Sequence, residues 1–157
     1  MTGSSAAWPP TSRRQRWIGV LARSPRQTLA RAVAALDPVP GYTLLRAPEP
    51  GLVMVRGRAG GDGERFNLGE MTVTRAAVRL ASGAIGFAWV AGRDRQHAEL
   101  AALLDACLCD ARRGPALEAA VVEPLAEAIQ ARADALCARA AATRVDVLTL
   151  ATGREVS

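Results

Sequence analysis

Four arginines and the only histidine of the chain lie within 23 consecutive residues, and their chemistry is the clearest in the sequence. They are Arg75, Arg79, Arg93, Arg95 and His97. Guanidinium groups bind phosphate and carboxylate groups through paired hydrogen bonds. A single histidine without a neighbouring cysteine or carboxylate cluster is a weak candidate for a general base or a metal ligand. The pattern therefore predicts a surface for anion binding or subunit assembly, with no catalytic residue and no metal site.

Two of these arginines belong to a predicted strand. Arg75 and Arg79 are four residues apart, so their side chains share one face of the strand. If that face is covered, each guanidinium group needs a counter-charge. One interpretation is an internal salt bridge, with Glu64, Glu70 or Asp146 as the candidate partner. The other is a subunit interface or a bound phosphate-type group.

The other two arginines lie at the start of a predicted helix. Arg93 and Arg95 add positive charge where the helix dipole is already positive. Asp94, between them, is suited to cap the helix with its side chain. The two arginines are more easily understood if an anion or an acidic partner lies beside them. His97 falls on the apolar stripe of the same helix, which predicts a partly buried, hydrogen-bonded imidazole.

A glycine-rich segment contains Gly60, Gly61 and Gly63 and is followed closely by Arg65. Consecutive glycines allow backbone N–H groups to converge on an anion, which favours a phosphate-binding loop. However, the segment lacks the lysine and the serine or threonine of a P-loop, and it does not open a predicted helix. The other interpretation is a hairpin turn whose glycines adopt positive φ angles.

All 20 basic residues are arginine, and the net charge is +5. This charge predicts an anionic partner, which is a phosphate-bearing ligand, a nucleic acid or an acidic protein. The chain has only three tryptophans, two phenylalanines and one tyrosine, and they are scattered. Such a distribution does not form a stacking platform for bases, so nucleic acid is the least favoured of the three.

The three cysteines, Cys107, Cys109 and Cys137, are odd in number and match no metal-ligand spacing. Cys107 and Cys109 point to different sides of a predicted helix and are therefore poor disulfide partners for each other. We expect three reduced thiols in a cytoplasmic protein. No apolar run approaches the roughly 20 residues of a membrane-spanning helix, so no membrane partner is expected.

The length of 157 residues predicts a single domain over 11–153, preceded by a flexible tail over 1–10. Helical spacing of apolar residues predicts a first helix from about 12 to 23. Ser24 as N-cap and Pro25 at the first helical position predict the start of a second helix.

Short apolar runs separated by glycine and proline predict an antiparallel meander in the middle of the chain. The predicted strands are 42–45, 52–58, 71–80 and 85–90, with turns at 48–51, 60–63 and 82–83.

The clearest helix is predicted over 94–111 and ends at Gly114 and Pro115. Residues 116–125 are predicted to be extended, because residues before proline avoid the helical region and this segment leads into and past Pro124. A helix over 126–142 and a strand over 145–150 follow. The fold class is therefore α+β, with an antiparallel sheet of about four to six strands, two N-terminal helices and two further helices packed on the sheet.

Four stretches of the chain resemble the PhnG family of the carbon-phosphorus lyase system, in the same order and at similar spacing. They are residues 60–66, 74–80, 92–99 and 144–146. The resemblance covers residues 11–153. It implies a cytoplasmic subunit that assembles with the H, I and J subunits into a core complex for phosphonate use.

The resemblance also implies a reaction. With the H, I and L subunits, the protein would take part in the synthesis of alpha-D-ribose 1-methylphosphonate 5-triphosphate, in which a phosphonate displaces adenine from MgATP. The nucleosidase chemistry is attributed to the I subunit, so no catalytic residue, metal or cofactor is implied on this chain. Two classes of function follow, an accessory subunit of the synthase and a stand-alone basic module that binds a small anion or nucleic acid.

Overall fold

A computed structural model describes residues 11–58 and 62–143. The α+β class is confirmed. The sheet has three strands in the described part of the chain, so the prediction of four to six is wrong there. The elements in chain order are α1 (Thr11–Arg23), α2 (Arg26–Ala34), β1 (Tyr42–Arg58), β2 (Arg65–Leu80), β3 (Ile85–Ala91), α3 (Arg95–Cys109), α4 (Gly114–Leu117), a π-helical turn (Glu118–Val122) and α5 (Glu123–Ala142).

β1 is one strand of 17 residues, so the predicted turn over 48–51 is wrong. The strand forms an edge of the sheet, whose order is β1-β2-β3, and it pairs antiparallel with β2. Register shifts on both sides of Arg46 absorb extra residues, the second of them at Pro48, and Pro50 is again in regular register opposite Thr74. Prolines are tolerated here because the outward N–H groups of an edge strand need no strand partner. β2 is also longer than predicted, since it begins at Arg65.

The predicted turn at 82–83 is confirmed. Gly83 has a φ of 88°, and its N–H donates to the Leu80 carbonyl at 2.9 Å. β3 then pairs antiparallel with the part of β2 from Val73 to Arg79. The turn therefore fixes which side chains of the two strands lie next to each other.

α3 is the central helix and contacts all three strands. Its residues from Ala101 to Leu108 are buried. Gly86 of β3 makes the close packing possible, because a Cβ at this position would overlap the Ala102 carbonyl and lie 2.8 Å from the Ala106 Cβ. The predicted helix over 94–111 is confirmed, with slightly tighter bounds.

α1 and α2 pack against α3. Their buried residues include Trp17, Leu21 and Leu29, which join the main core. The prediction of the first helix is confirmed, but the predicted cap of the second is wrong. Pro25 is the N-cap, and the Ser24 hydroxyl instead donates to the Val20 carbonyl at 2.8 Å because Ser24 is buried at the end of α1.

The predicted strand over 116–125 is wrong, since this part of the chain is helical throughout. Glu123 precedes Pro124 but has helical angles, with φ −62° and ψ −51°. The π-helical turn ends immediately before Glu123. A π-helical turn shifts the hydrogen-bond ladder locally, which accommodates the missing N–H of Pro124 at the first turn of α5.

Gly114 and Pro115 open α4, whereas α3 already ends at Cys109. The predicted helix over 126–142 is confirmed as part of α5. The predicted strand over 145–150 and the predicted tail over 1–10 lie outside the described residues.

Within residues 11–58 and 62–143, no helix is long and apolar enough to cross a membrane.

Ion pairs attach the C-terminal helices to α1. Arg13 pairs with Glu118, and Arg16 pairs with Glu123 at 2.6 Å. The hydrogen bond from Arg16 lowers the pKa of the Glu123 carboxyl below its ordinary value. These pairs are at the surface, so they orient α5 more than they stabilise it.

Asp105 is a fully buried carboxylate in α3 that joins three elements. Its Oδ1 accepts a hydrogen bond from the indole Nε1 of Trp17 at 2.7 Å. Its Oδ2 accepts from Nη2 of Arg14 at 2.6 Å and from the backbone N–H of Phe87 at 2.8 Å. Arg14 also donates to the Ile85 carbonyl at 3.2 Å. Arg14 of α1 thus neutralises the carboxylate, and the hydrogen bond from the Phe87 N–H attaches the edge strand β3 to α3.

Removing this carboxylate should destabilise the protein strongly. Asp105→Ala breaks the buried ion pair with Arg14 and removes the acceptor of the Trp17 indole and the Phe87 N–H, and breaking a buried pair typically costs about 3 to 5 kcal/mol. Asp105→Asn keeps one acceptor oxygen and should lose less. The exposed helix residue Asp134 is the control, and Asp134→Ala should change stability by less than about 0.5 kcal/mol. Urea unfolding followed by circular dichroism measures all three. An Asp105→Ala midpoint equal to that of Asp134→Ala would contradict the expectation.

Candidate functional site

Arg75 is already paired within the chain. Its Nη2 lies 3.0 Å from Oε1 of Glu49 on β1, and its guanidinium lies over the Trp89 ring at 5.7 Å. Glu49, Arg75 and Trp89 are neighbours in the strand register, so they share one face of the sheet. An internal salt bridge was one of the two interpretations, but the partner is neither Glu64 nor Glu70. Asp146 lies outside the described residues.

Arg79 lies on the same face and is exposed. Its neighbours in the register are Thr43 on β1 and Ile85 on β3. This is the outer face of the sheet, because the alternate residues Val78 and Leu80 are buried in the core. The predicted shared face of Arg75 and Arg79 is therefore confirmed.

The start of α3 has the predicted cap. The Asp94 side chain accepts a hydrogen bond from the His97 N–H at 2.9 Å, and it also lies 3.4 Å from Nη1 of Arg26. Arg93 and Arg95 are exposed on either side of it. Among the described residues, no carboxylate oxygen lies within 4.0 Å of either guanidinium group. Their positive charge is therefore available to a partner or an anion.

His97 is partly buried, as predicted. Its Nε2 lies 3.1 Å from the Leu21 carbonyl, which can only accept, so this nitrogen carries the proton. The contact ties the end of α1 to the first turn of α3. This geometry gives His97 a structural role in holding two helices together.

The glycine-rich segment connects two strands of a hairpin, since β1 ends at Arg58 and β2 begins at Arg65. Gly60 and Gly61 lie outside the described residues. The Gly63 carbonyl accepts a hydrogen bond from Nη1 of Arg58 at 3.4 Å. A carbonyl aimed at a guanidinium group supports the turn interpretation. No helix begins at residues 62–64, the described part of this segment, to favour a phosphate loop.

The fold spreads the predicted site residues over several places. Arg65 and Arg75 are ten residues apart in β2, and a strand rises about 3.3 Å per residue, so they are separated by roughly 33 Å. Arg75 and Arg79 lie on the outer face, whereas His97 lies between helices on the other side. The residues therefore do not form one anion-binding pocket. They lie at separate positions on an extended surface.

β1 and β2 extend beyond the rest of the fold as a two-stranded arm, which we define as residues 51–58 and 65–72. β3 stops at Ala91, opposite Val73, so it does not cover this part of the hairpin. The arm exposes large apolar side chains, which are Leu52, Met54, Phe66, Leu68 and Met71. Leu52 and Met54 lie on one face of the arm, and Phe66, Leu68 and Met71 lie on the other. Exposed apolar side chains gathered on one short element in this way mark an interaction site.

Comparisons with known proteins identify the family of the chain that carries this surface. The family model described as phosphonate metabolism protein PhnG matches residues 12–153. A relative from Rhizobium meliloti (strain 1021) is 43% identical over 148 residues, which cover 92% of each chain. Its name is alpha-D-ribose 1-methylphosphonate 5-triphosphate synthase subunit PhnG. The chain belongs to the PhnG family. The resemblance described from the sequence is thereby confirmed.

In this PhnG-family chain, Tyr42 fastens β1 to α3. Its hydroxyl donates to Oε1 of Glu99 at 2.6 Å, and this hydrogen bond raises the pKa of Tyr42 to about 12. The phenol therefore stays protonated across the physiological range. The contact places the base of the hairpin, from which the arm extends, in a fixed position.

Sequence reasoning missed several residues of the outer face. Ile85, Phe87 and Trp89 alternate along β3 and lie opposite Arg79, Ala77 and Arg75. The turn at 82–83 was predicted correctly, and its register already places Ile85 and Trp89 opposite the two arginines. Glu49 had no such signal, because its position depends on register shifts in β1.

The three cysteines are free, in agreement with the prediction of reduced thiols. Burial raises the pKa of both the Cys107 and the Cys109 thiol to about 11. Cys137 is exposed on α5. Among the described residues, no group of three or more histidine, cysteine, aspartate or glutamate side chains is arranged to hold a metal ion.

Thiol alkylation should therefore be selective for Cys137. The pKa values of Cys107 and Cys109 are raised from 9.0 to about 11, so below pH 11 both remain protonated. The thiolate is the reactive form, and two pKa units lower its fraction by about a hundredfold near pH 8. Iodoacetamide should modify Cys137 first, as measured by peptide mass spectrometry. In urea all three should react at similar rates, whereas equal rates in the folded protein would contradict the expectation.

Proposed function

We propose that this chain is an accessory subunit of alpha-D-ribose 1-methylphosphonate 5-triphosphate synthase and acts in phosphonate catabolism. The support is its membership of the PhnG family and the 43% identity to a relative that carries this name. The alignment covers 92% of both chains, so the likeness is not confined to one shared segment. The transferase activity belongs to the assembled enzyme.

The structural observation that carries the proposal is the exposed apolar arm. Leu52 and Leu68 are each 65% exposed, and Met54 is 52% exposed. Interfaces of obligate complexes resemble a core cut in half, and a chain separated from its partners exposes such a surface. A stand-alone basic module has no need of it.

The partners in this proposal are the H, I, J and L subunits, in a core complex located in the cytoplasm. The phosphonate and MgATP bind to the assembled enzyme, in which the phosphonate displaces adenine. This chain contributes no cofactor, no metal and no catalytic residue. Its exposed arginines, including Arg79, Arg93 and Arg95, contact acidic partner surfaces or phosphate groups of the substrate.

The first test is biochemical reconstitution. The isolated chain should release no adenine from MgATP in the presence of methylphosphonate, since the chemistry is assigned to another subunit. Co-expression with the H, I and L subunits should give adenine release that is lost when this chain is omitted. Chromatographic detection of adenine is the measurement, with heat-treated protein as the blank. Release by the isolated chain, or full activity without it, would contradict the proposal.

The second test reverses the charge of Arg93. This side chain is exposed and has no carboxylate partner among the described residues, so Arg93→Glu should change the free energy of unfolding by less than about 0.5 kcal/mol. It should nevertheless reduce co-purification with the I subunit, because a like charge at an interface is unfavourable. Arg132→Glu, on the exposed surface of α5, is the matched control and should leave assembly unchanged.

Arg75 needs a different design, because Arg75→Glu also breaks its pair with Glu49. The double variant Arg75→Glu with Glu49→Arg restores an internal pair with exchanged positions. If Arg75 acts only within the chain, the double variant should recover assembly. If it also contacts a partner, assembly should stay impaired although stability returns. Unchanged assembly and turnover in both the Arg93 and the Arg75 reversals would show that these arginines form only a solvated face.

A further inference from the structure

One face of the arm combines apolar side chains with arginines. Leu52 and Met54 pair with Thr72 and Glu70, and they point to the side of the sheet that carries the helices. Because side chains alternate along a strand, Arg56 and Arg58 continue the same face towards the tip of the arm. Arg65 joins them as the direct cross-strand neighbour of Arg58.

The charges on this face are not balanced within the chain. Arg58 and Arg65 are opposite each other, and like charges in that position destabilise a strand pair. Glu70 is the one carboxylate that the register places on the face, while Asp62 and Glu64 lie in the turn. In the described residues, no carboxylate oxygen lies within 4.0 Å of a guanidinium group of Arg56, Arg58 or Arg65.

The arm also has little to stabilise it. Beyond Val73 it consists of two strands, and an isolated two-stranded hairpin is marginally stable in water. A bound surface that covers the apolar residues and neutralises the arginines would remove both unfavourable features at once.

We infer that the helix-side face of the arm docks on another protein chain, at an apolar patch bordered by carboxylates. The inference deepens the proposed function and rests on it, because it names the element through which the subunit assembles. A second copy of this chain does not fit, since its corresponding face offers Glu70 against three arginines. A nucleic acid would match the charge but leaves Leu52 and Met54, which are 65% and 52% exposed, without an apolar partner.

The test uses the H, I and J subunits co-expressed with this chain, with an affinity tag on the I subunit. One variant, Arg58→Glu with Arg65→Glu, reverses the charge of the tip. A second variant, Leu52→Glu, places a charge in the apolar part of the same face. The controls carry the same changes on α5, where Arg132→Glu with Arg139→Glu and Leu136→Glu alter exposed residues.

Both arm variants should lower recovery of this chain with the tagged subunit by at least about tenfold, and both controls should match the wild type. Arg58→Lys with Arg65→Lys keeps the charge and should retain most of the recovery. Circular dichroism of each isolated variant verifies the fold. Amide hydrogen exchange supplies an independent measurement, since residues 51–58 and 65–72 should exchange rapidly in the free chain and be protected in the complex.

The outcomes separate the inference from the proposed function. If the wild-type chain is not recovered with the tagged subunit, the proposed function fails and the inference fails with it. If the wild type assembles and the arm variants assemble equally well, only the inference is overturned. It is also overturned if the arm binds single-stranded DNA in fluorescence anisotropy and the arm variants lose that binding while subunit recovery is unchanged.

Discussion

The buried carboxylate of Asp105 is the constraint on which the rest of the fold depends. It lies in the central helix, and its three strongest donors come from α1 and from the edge strand β3. An isolated charge in the core is unfavourable, so α1 has to approach closely enough for Arg14 and Trp17 to reach it. The same carboxylate satisfies the Phe87 N–H, which an edge strand otherwise leaves open. One edge of the sheet is thereby closed by helices.

Because the helices cover the β3 edge and one face of the sheet, the other face, the β1 edge and the arm remain exposed. The helices gather around α3 on one side of the sheet, so Phe87 and Trp89 remain 42% and 50% exposed on the other side. β1 keeps a free edge, and the arm continues past the region that α3 covers. The packing of the helices around α3 therefore produces both the buried core on one side of the sheet and the exposed surface on the other. The subunit role proposed for this PhnG-family chain would cover the exposed half with a partner.

The sequence predicted the features that depend on neighbouring residues. The turn at 82–83, the helix capped by Asp94 and the first helix were correct because caps, glycine turns and helical spacing act locally. The single long β1 was missed because Pro48 and Pro50 break a central strand but not an edge strand, and edge position is a property of the whole sheet. The helix through Pro124 was missed because a π-helical turn accommodates it. Arg75 was recognised, but not its partner Glu49, which is 26 residues away in the sequence and whose pairing depends on the register shifts that precede it in β1.

Arginines of α1 and arginines of the sheet differ in whether a carboxylate of the chain pairs with them, and this difference indicates where a partner binds. Those of α1, such as Arg13, Arg14 and Arg16, pair with carboxylates of α3, the π-helical turn and α5, so their charge is used inside the fold. Those of the sheet and its arm lack such partners in the described residues, apart from Arg46 and Arg75, which share Glu49. The guanidinium groups without a carboxylate partner in the described residues thus lie on the surface where the apolar residues are exposed, and they create a positive local field there. A field of that kind attracts an acidic surface, and the apolar residues then stabilise the contact once water is excluded.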